Sequence, residues 1–443
     1  MTEKMILELI EKRNFKEIKE ILNDMNEVDI AQFLEELPER EMILVFRLMK
    51  KEEAAETFTH LDAKFQKLLI EAFTERELKD VLDELYLDDT ADLLEEMPAN
   101  VVERILLNTD SQKRSMLNTL LNYPKDSVGS IMTVEYVDFK KTMTVNEAIK
   151  KLKRVGIDSE TIYTCYVIEG KKLIGTVSAK DLLISDDEKT MEEIMESHVI
   201  SVTTTDDKEE AAKLIGKYGL LALPVVDREN CIVGIVTVDD AMEVMEDETT
   251  EDISRMMAVS PSDDTYFGTS VFQHAKNRIV WLLILMLSAT FTGMIITHYE
   301  EAFSAVPILV SFIPMLMDTG GNCGSQSSTL IIRGLAVDEI GFKDFFRVLF
   351  KEFRISLIVS VVLAIVNAIR IMVMYQNIQL SVLIGLSLIS TVIMAKMIGC
   401  MLPLLAKKCG LDPAIMAAPL ITTLVDTGSI LVYFSIATRL FQI

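Results

Sequence analysis

Cysteine is scarce in this chain, and what there is forms no chemical motif. Cys165, Cys231, Cys323, Cys400 and Cys409 have no paired spacing. That argues against a disulfide framework or a zinc site, and for a reducing compartment. The four histidines form no ligand motif. No nucleophile–base set, P-loop or metal-hydrolase signature is present, so an enzyme is disfavoured and nothing could drive an ATP-powered pump. The opening stretch "MTEKMILELIEKRNF" is charged throughout and lacks the apolar centre of a secretory signal.

Positive charge is also short, but only in one part of the chain. The 443 residues carry a formal net charge of −24, yet the mean hydropathy is positive. Residues 271–443 hold 12 Lys+Arg against 9 Asp+Glu, whereas the preceding 270 residues hold 32 against 59, a net of −27. Two bodies are therefore joined, an acidic soluble one and an apolar one. The acidic body repels phosphates, which disfavours a nucleic-acid partner and makes cations its natural counter-charge.

The apolar part reads as five membrane spans. Residues 279–297 run for 19 positions without a charge, close to the roughly 20 a helix needs to cross hydrocarbon. The other spans fall at 302–317, 355–375 with Arg370 inside, 378–405 with Lys396 and Pro403 inside, and 413–438 with the single charge Asp426. Lys and Arg alternate across the connecting loops. Lys276 and Arg278 precede the first span, Arg333 to Arg354 separate the second from the third, and Lys407 and Lys408 follow the fourth. The loops between them hold no Lys or Arg. That bias places the N-terminus and the acidic body in the cytoplasm and the C-terminus outside.

The second span runs into "DTGGNCGSQSSTL" at 318–330. Three glycines with amides and hydroxyls suit a helix that breaks inside the membrane beside a hydrated path. The alternative is a cytoplasmic loop that starts early. Asp426 marks an ion path if it faces one, or else it is a buried acid paired with Lys396 or Arg370.

The acidic body divides again. Residues 1–126 show apolar residues at helical spacing and an internal repeat, "DIAQFLEELPEREMILVFRLM" at 29–49 against "DTADLLEEMPANVVERILLNT" at 89–109. Stacked short helices predict an α-superhelix. Residues 127–242 alternate β-branched runs with helical ones, in two repeats at 127–190 and 191–242. Each ends in Gly-x-Val-[Ser/Thr]-x-x-Asp, at Gly175, Ser178 and Asp181, then at Gly234, Thr237 and Asp240. Residues 243–275 form an acidic connecting (plug) helix and linker, with six acids between Glu243 and Asp252. These repel one another unless cations gather there, and a hard divalent ion prefers such oxygen ligands. Residues 276–443 are the membrane domain.

The repeats at 127–242 resemble a tandem cystathionine-β-synthase (CBS) pair. That resemblance implies an adenosine nucleotide such as ATP, with Ser178, Asp181, Thr237 and Asp240 at the ribose. The whole order resembles the MgtE family of magnesium channels and transporters: a multidomain membrane protein with an N-terminal α-superhelical domain, an α/β tandem CBS pair, an acidic connecting helix and a five-helix transmembrane domain. Its most specific parts are "GGNCGSQ" at 320–326 and "LDPAIMAAPLITTLVDTGSILVY" at 411–433. The resemblance implies a plasma-membrane homodimer importing Mg2+ along its axis. Asp426, Asp412 and Asn322 would meet the ion in the pore, and Gly320, Gly321, Gly324 and Gln326 would form the pore-lining helix break. Cytosolic Mg2+ would close the pore through Glu56, Asp88, Asp92, Glu209, Asp240, Glu243, Glu248, Glu251 and Asp252. Where relatives place an acid after the second CBS helix this chain has "KYGLL", with Gly219, which puts one sensory site in doubt. The alternatives are a non-transporting Mg2+ or nucleotide sensor, or a channel for Co2+, Mn2+ or Ni2+.

Overall fold

The computed structural model of the chain describes residues 3–262, 266–300, 304, 306–416 and 418–442. It divides into two compact units, Met1–Glu246 and Asp247–Ile443.

The first unit begins with ten short helices, α1 to α10. In order they cover Glu3–Glu11, Phe15–Asn23, Glu27–Glu35, Glu39–Phe46, Lys51–Thr59, Ala63–Ala72, Glu75–Glu84, Leu87–Glu96, Ala99–Asn108 and Ser111–Leu120. The sequence repeat is one helix pair used twice. Pro38 caps the start of α4 and Pro98 that of α9, both in extended backbone. Proline has no N–H to give the preceding helix, so it ends that helix and lets the next one start. Leu34, Met42, Leu94 and Val101 from the paired helices all join one buried core.

Two three-stranded sheets follow. The first holds β1 (Asp138–Lys140), β2 (Thr164–Glu169) and β3 (Lys172–Ser178), with α11 (Val145–Val155) after β1 and α12 (Ala179–Ile184) after β3. The second holds β4 (Val202–Thr203), β5 (Ala222–Val226) and β6 (Ile232–Thr237). Its helices are α13 (Met191–Ile194), α14 (Lys208–Tyr218) and α15 (Val238–Met256). In each sheet the first pair is parallel and the second antiparallel. The halves exchange edge segments: Thr133 pairs with Ile235 on β6, and Glu196 pairs with Thr176 on β3. This exchange explains the repeated glycine. A Cβ on Gly175 would lie 2.5 Å from the sulfur of Met195, and one on Gly234 would lie 2.7 Å from the carbonyl of Thr133. Gly219 ends α14 in the left-handed conformation at φ 63°, so a backbone requirement occupies the position where an acid was sought.

The second unit contains α16 (Val271–His298), α17 (Ile313–Ala336), α18 (Phe345–Tyr375), α19 (Ile378–Lys408) and α20 (Ala418–Phe441). Among the described residues four helical segments are long and apolar enough to span a membrane, those of α16, α18, α19 and α20. Their large apolar side chains lie exposed, as at Leu283, Leu287, Ile358, Val362 and Ile369, which suits lipid contact.

Two expectations about the second span are corrected. Among the described residues the apolar run is not one continuous helix. Residues 301–303 and 305 lie outside the described residues, Pro307–Phe312 is a 3-10 turn, and the helix begins at Ile313. The Tyr433 hydroxyl holds that turn by donating to the carbonyl of Leu309 at 2.9 Å. Nor is there a helix break at Gly320, Gly321, Gly324 or Gln326, because α17 is continuous from Ile313 to Ala336. The glycines serve close packing instead. A Cβ on Gly320 would lie 2.7 Å from Val425, one on Gly324 would lie 2.7 Å from Ile421, and Gly399 meets the carbonyl oxygen of Gly324. Interior glycine costs a helix about 1 kcal/mol relative to alanine, and here it lets α19 and α20 approach the α17 backbone.

Candidate functional site

The acids singled out in the first unit gather where α8 meets the start of α15. Asp88 is buried, Asp89 and Asp240 are half-buried, and Glu56, Asp92 and Glu243 are exposed. Burial is the main force on Asp88, with the charges of Asp240, Asp89 and Glu160 adding to it, and its pKa stands well above the carboxylate range. Burial, then Asp240 and Glu56, push Asp89 up to about 7. Burial, then Asp89 and Asp240, push Glu160 up to about 8. The Asp92 charge is within reach of Glu243 and Asp240. Sequence reasoning missed Asp89 and Glu160. Asp89 follows Asp88 directly, but Glu160 sits in a loop that no helical spacing flags.

Among the described residues no three acid, His or Cys side chains converge closely enough to hold an ion directly. The cluster is thus a field of mutually repelling carboxylates, suited to a cation that keeps its water shell. Glu209 is paired with Lys213 at 2.7 Å.

The four residues expected at a nucleotide sit at helix starts. Ser178 Oγ donates to Asp181 Oδ2 at 2.5 Å and accepts from the Asp181 N–H at 3.1 Å, a capping box at α12. Thr237 Oγ1 donates to Asp240 Oδ2 at 2.7 Å in the second half. The two positions differ in charge. Asp240 is within electrostatic reach of Asp88, Asp89 and Asp92 on α8, which opposes a polyphosphate, whereas among the described residues no hydrogen bond or ion pair joins Ser178 or Asp181 to that cluster.

In the second unit α17 has two faces. Gly320, Gly321, Cys323, Gly324, Ser327 and Ser328 are buried, while Asp318, Asn322, Gln326 and Thr329 are exposed. Their spacing of four, four and three residues puts them on one side of a helix. Asp426, half-buried on α20, lies within electrostatic reach of Asp318. The pairing of Asp426 with Lys396 or Arg370 is not found. Lys396 is buried against Glu352, with Nζ to Oε2 at 4.0 Å, and Arg370 contacts the sulfur of Met315. Glu352 was missed because it lies just ahead of the apolar run that marked the third span.

Asp412 is committed within the protein. Its Oδ1 accepts from the Ala414 N–H at 2.7 Å, and its Oδ2 accepts from the Arg255 guanidinium at the end of α15, which also binds Glu251. Glu248 and Asp252 lie on the same last turns of α15, both half-buried.

Three family matches tile the chain. Residues 25–126 match the MgtE intracellular N domain, 128–187 and 191–247 match the CBS domain, and 313–436 match the divalent cation transporter family MgtE. The chain is similar to the magnesium transporter MgtE of Thermus thermophilus, 36% identical over the full length of both chains. It is 34% identical to the magnesium transporter MgtE of Bacillus subtilis, covering 98% of this chain and 96% of that one. Among solved structures, the cytosolic domain of the Mg2+ channel MgtE in complex with ATP is 35% identical with a TM-score of 0.51. That match covers 54% of this chain and 98% of that one. The soluble part of a magnesium transporter is 30% identical with a TM-score of 0.52, covering 55% of this chain and 97% of that one.

Proposed function

Since the chain belongs to the MgtE family of magnesium transporters, we propose that it conducts Mg2+ inward across the plasma membrane as a homodimer closed by cytosolic Mg2+. One observation carries the reading, the exposed polar side of α17 beside Asp426. Asp318, Asn322, Gln326 and Thr329 would each be costly against lipid. A two-fold axis along that side would cover it with a second copy and set two Asp426 carboxylates across one path. Mg2+ dehydrates reluctantly, so two carboxylates and facing amides would grip it through its waters. Asp412, held by Arg255, would act at the mouth as a latch for the connecting helix.

Closure follows from the acid field of the first unit. Without cation, Asp88, Asp89, Asp92, Asp240 and Glu243 oppose the close approach of α8 and α15. Hydrated Mg2+ at Glu56, Asp88, Asp92, Asp240 and Glu243, and at Glu248, Glu251 and Asp252, favours the compact state by its differential affinity. Several weak sites acting together give a steep response. ATP is the proposed ligand of the CBS pair, at Ser178 and Asp181 in preference to Thr237 and Asp240, because the second pair faces the acid cluster. The ATP-bound cytosolic domain of the similar Mg2+ channel supports a nucleotide. The N-terminal unit is cytoplasmic and the C-terminus outside.

The test is Mg2+ uptake by liposomes carrying the purified protein, compared with Asp426→Ala. Uptake lost in the variant while dimer and fold persist supports the path. Equal uptake removes Asp426 from it. No uptake by folded unsubstituted protein favours a sensor that does not transport, and uptake of Co2+, Mn2+ or Ni2+ in preference to Mg2+ favours a channel for those ions.

A further inference from the structure

Behind the polar side of α17 lies a buried charged triad. Glu352 on α18 and Lys396 on α19 are each about nine-tenths or more buried, with side chains 8% and 6% exposed. Ser327 on α17 stands between them, fully buried. Its Oγ donates to Glu352 Oε2 at 2.7 Å and accepts from Lys396 Nζ at 3.2 Å. One turn away on each helix the backbones of α17 and α19 meet at Gly324 and Gly399. The triad and the glycine contact together fix α17 against both sliding and rotation.

A buried ion pair is poor value as a stabiliser, because taking two charges out of water costs about as much as their attraction returns, and an apolar pair of similar volume is often as stable or more so. What such a pair can supply is one defined geometry. Ser327 adjoins Gln326 and lies five residues from Asn322, so its hydrogen bonds set the direction in which those two amides project. We propose that Glu352 and Lys396, acting through Ser327, are positioning residues that hold α17 in the rotation that presents Asn322 and Gln326 to the permeating ion, and so determine the choice of Mg2+ over the larger Ca2+. The proposal rests on the reading of α17 as the wall of the ion path. The two amides must stand where a hydrated Mg2+ can hydrogen-bond to both, and a turned helix would loosen that fit for the smaller ion first.

The decisive variant is Glu352→Leu with Lys396→Met, which removes both charges and leaves no unpaired one. Its thermal stability in detergent should equal or exceed that of the unsubstituted protein, while the ratio of Mg2+ to Ca2+ flux into liposomes falls severalfold. The same double variant is then combined with Asn322→Cys and treated with a water-soluble maleimide, using Asn322→Cys alone as reference. A severalfold change in labelling rate at that position supports a turned helix. Labelling and flux ratio both unchanged overturn the proposal and leave the triad a structural pair. Should the double variant not fold, Ser327→Ala keeps the charges paired and cuts their link to α17. It must then shift the flux ratio and the labelling in the same direction, and no shift overturns the proposal. Labelling does not depend on transport, so absent flux in the unsubstituted protein would count against the transport reading while the labelling still decides this one.

Discussion

The two units handle buried carboxylates in opposite ways. In the membrane unit Glu352 is buried with its own cation, Lys396, and a hydroxyl between them. In the soluble unit Asp88, Asp89, Asp240 and Glu160 are crowded among other acids, and burial together with their neighbours pushes their pKa values up. A matched acid carries its counter-charge within the fold and responds little to the solution. An acid crowded by acids leaves its balance to protons or metal ions, the property on which the proposed sensing of Mg2+ rests. Asp426 is intermediate: its charged neighbour is another acid, Asp318, which is what the proposed ion path requires of it.

The comparison can be broken at each of these places. The largest effect is expected at Asp426→Asn, which should abolish Mg2+ uptake while the protein still elutes as a folded dimer. Next comes Lys396→Met alone. Removing one partner of a buried pair costs about 3–5 kcal/mol, to be seen as a lowered melting temperature in detergent, and adding Glu352→Leu should restore all of it or more.

Asp89→Asn should do the reverse. A carboxyl whose pKa is about 7 folded against 3.8 as its ordinary value binds its proton more tightly in the folded state. Its contribution to stability is therefore complete below the ordinary value and is lost as the pH rises through about 7. Neutralising it should raise the metal-free stability of the soluble unit at neutral pH by ~1–3 kcal/mol, and should reduce the further stabilisation by Mg2+. From the same sign, protons compete with Mg2+ at the cluster. The rise in melting temperature caused by Mg2+ should be larger at about pH 8 than at about pH 6, as calorimetry of the full chain would reveal. The smallest effect is expected at Ser178→Ala, where loss of the capping box should cost ~1 kcal/mol and weaken ATP binding measured by calorimetry more than Thr237→Ala does.

Much of this was legible in the sequence, and the failures have physical causes. The helix pairs around Pro38 and Pro98 could be read from their repeat, and the CBS halves from the motif at Gly175 and Gly234. The exchange of edge segments that makes those glycines necessary could not, because it depends on pairings such as Thr133 with Ile235. The run at 318–330 was misread as a break because glycine disfavours a helix in water. Inside packed membrane helices the same residue permits close approach, as at Gly324 and Gly399. Glu352 escaped notice because charge was sought within apolar runs and it precedes one. Asp412 looked like an ion ligand by resemblance, but its Arg255 partner is 157 residues distant in sequence and no spacing announces it.

The central claim is that the crowded acids of the soluble unit make the pore answer to cytosolic Mg2+. Its most direct test is Mg2+ flux through the reconstituted protein, with Mg2+ on the side of the acidic domains raised from micromolar to millimolar. The account predicts a steep fall in flux, shallower when Asp88, Asp92 and Asp240 are neutralised together. A flux that stays constant over that range would contradict it.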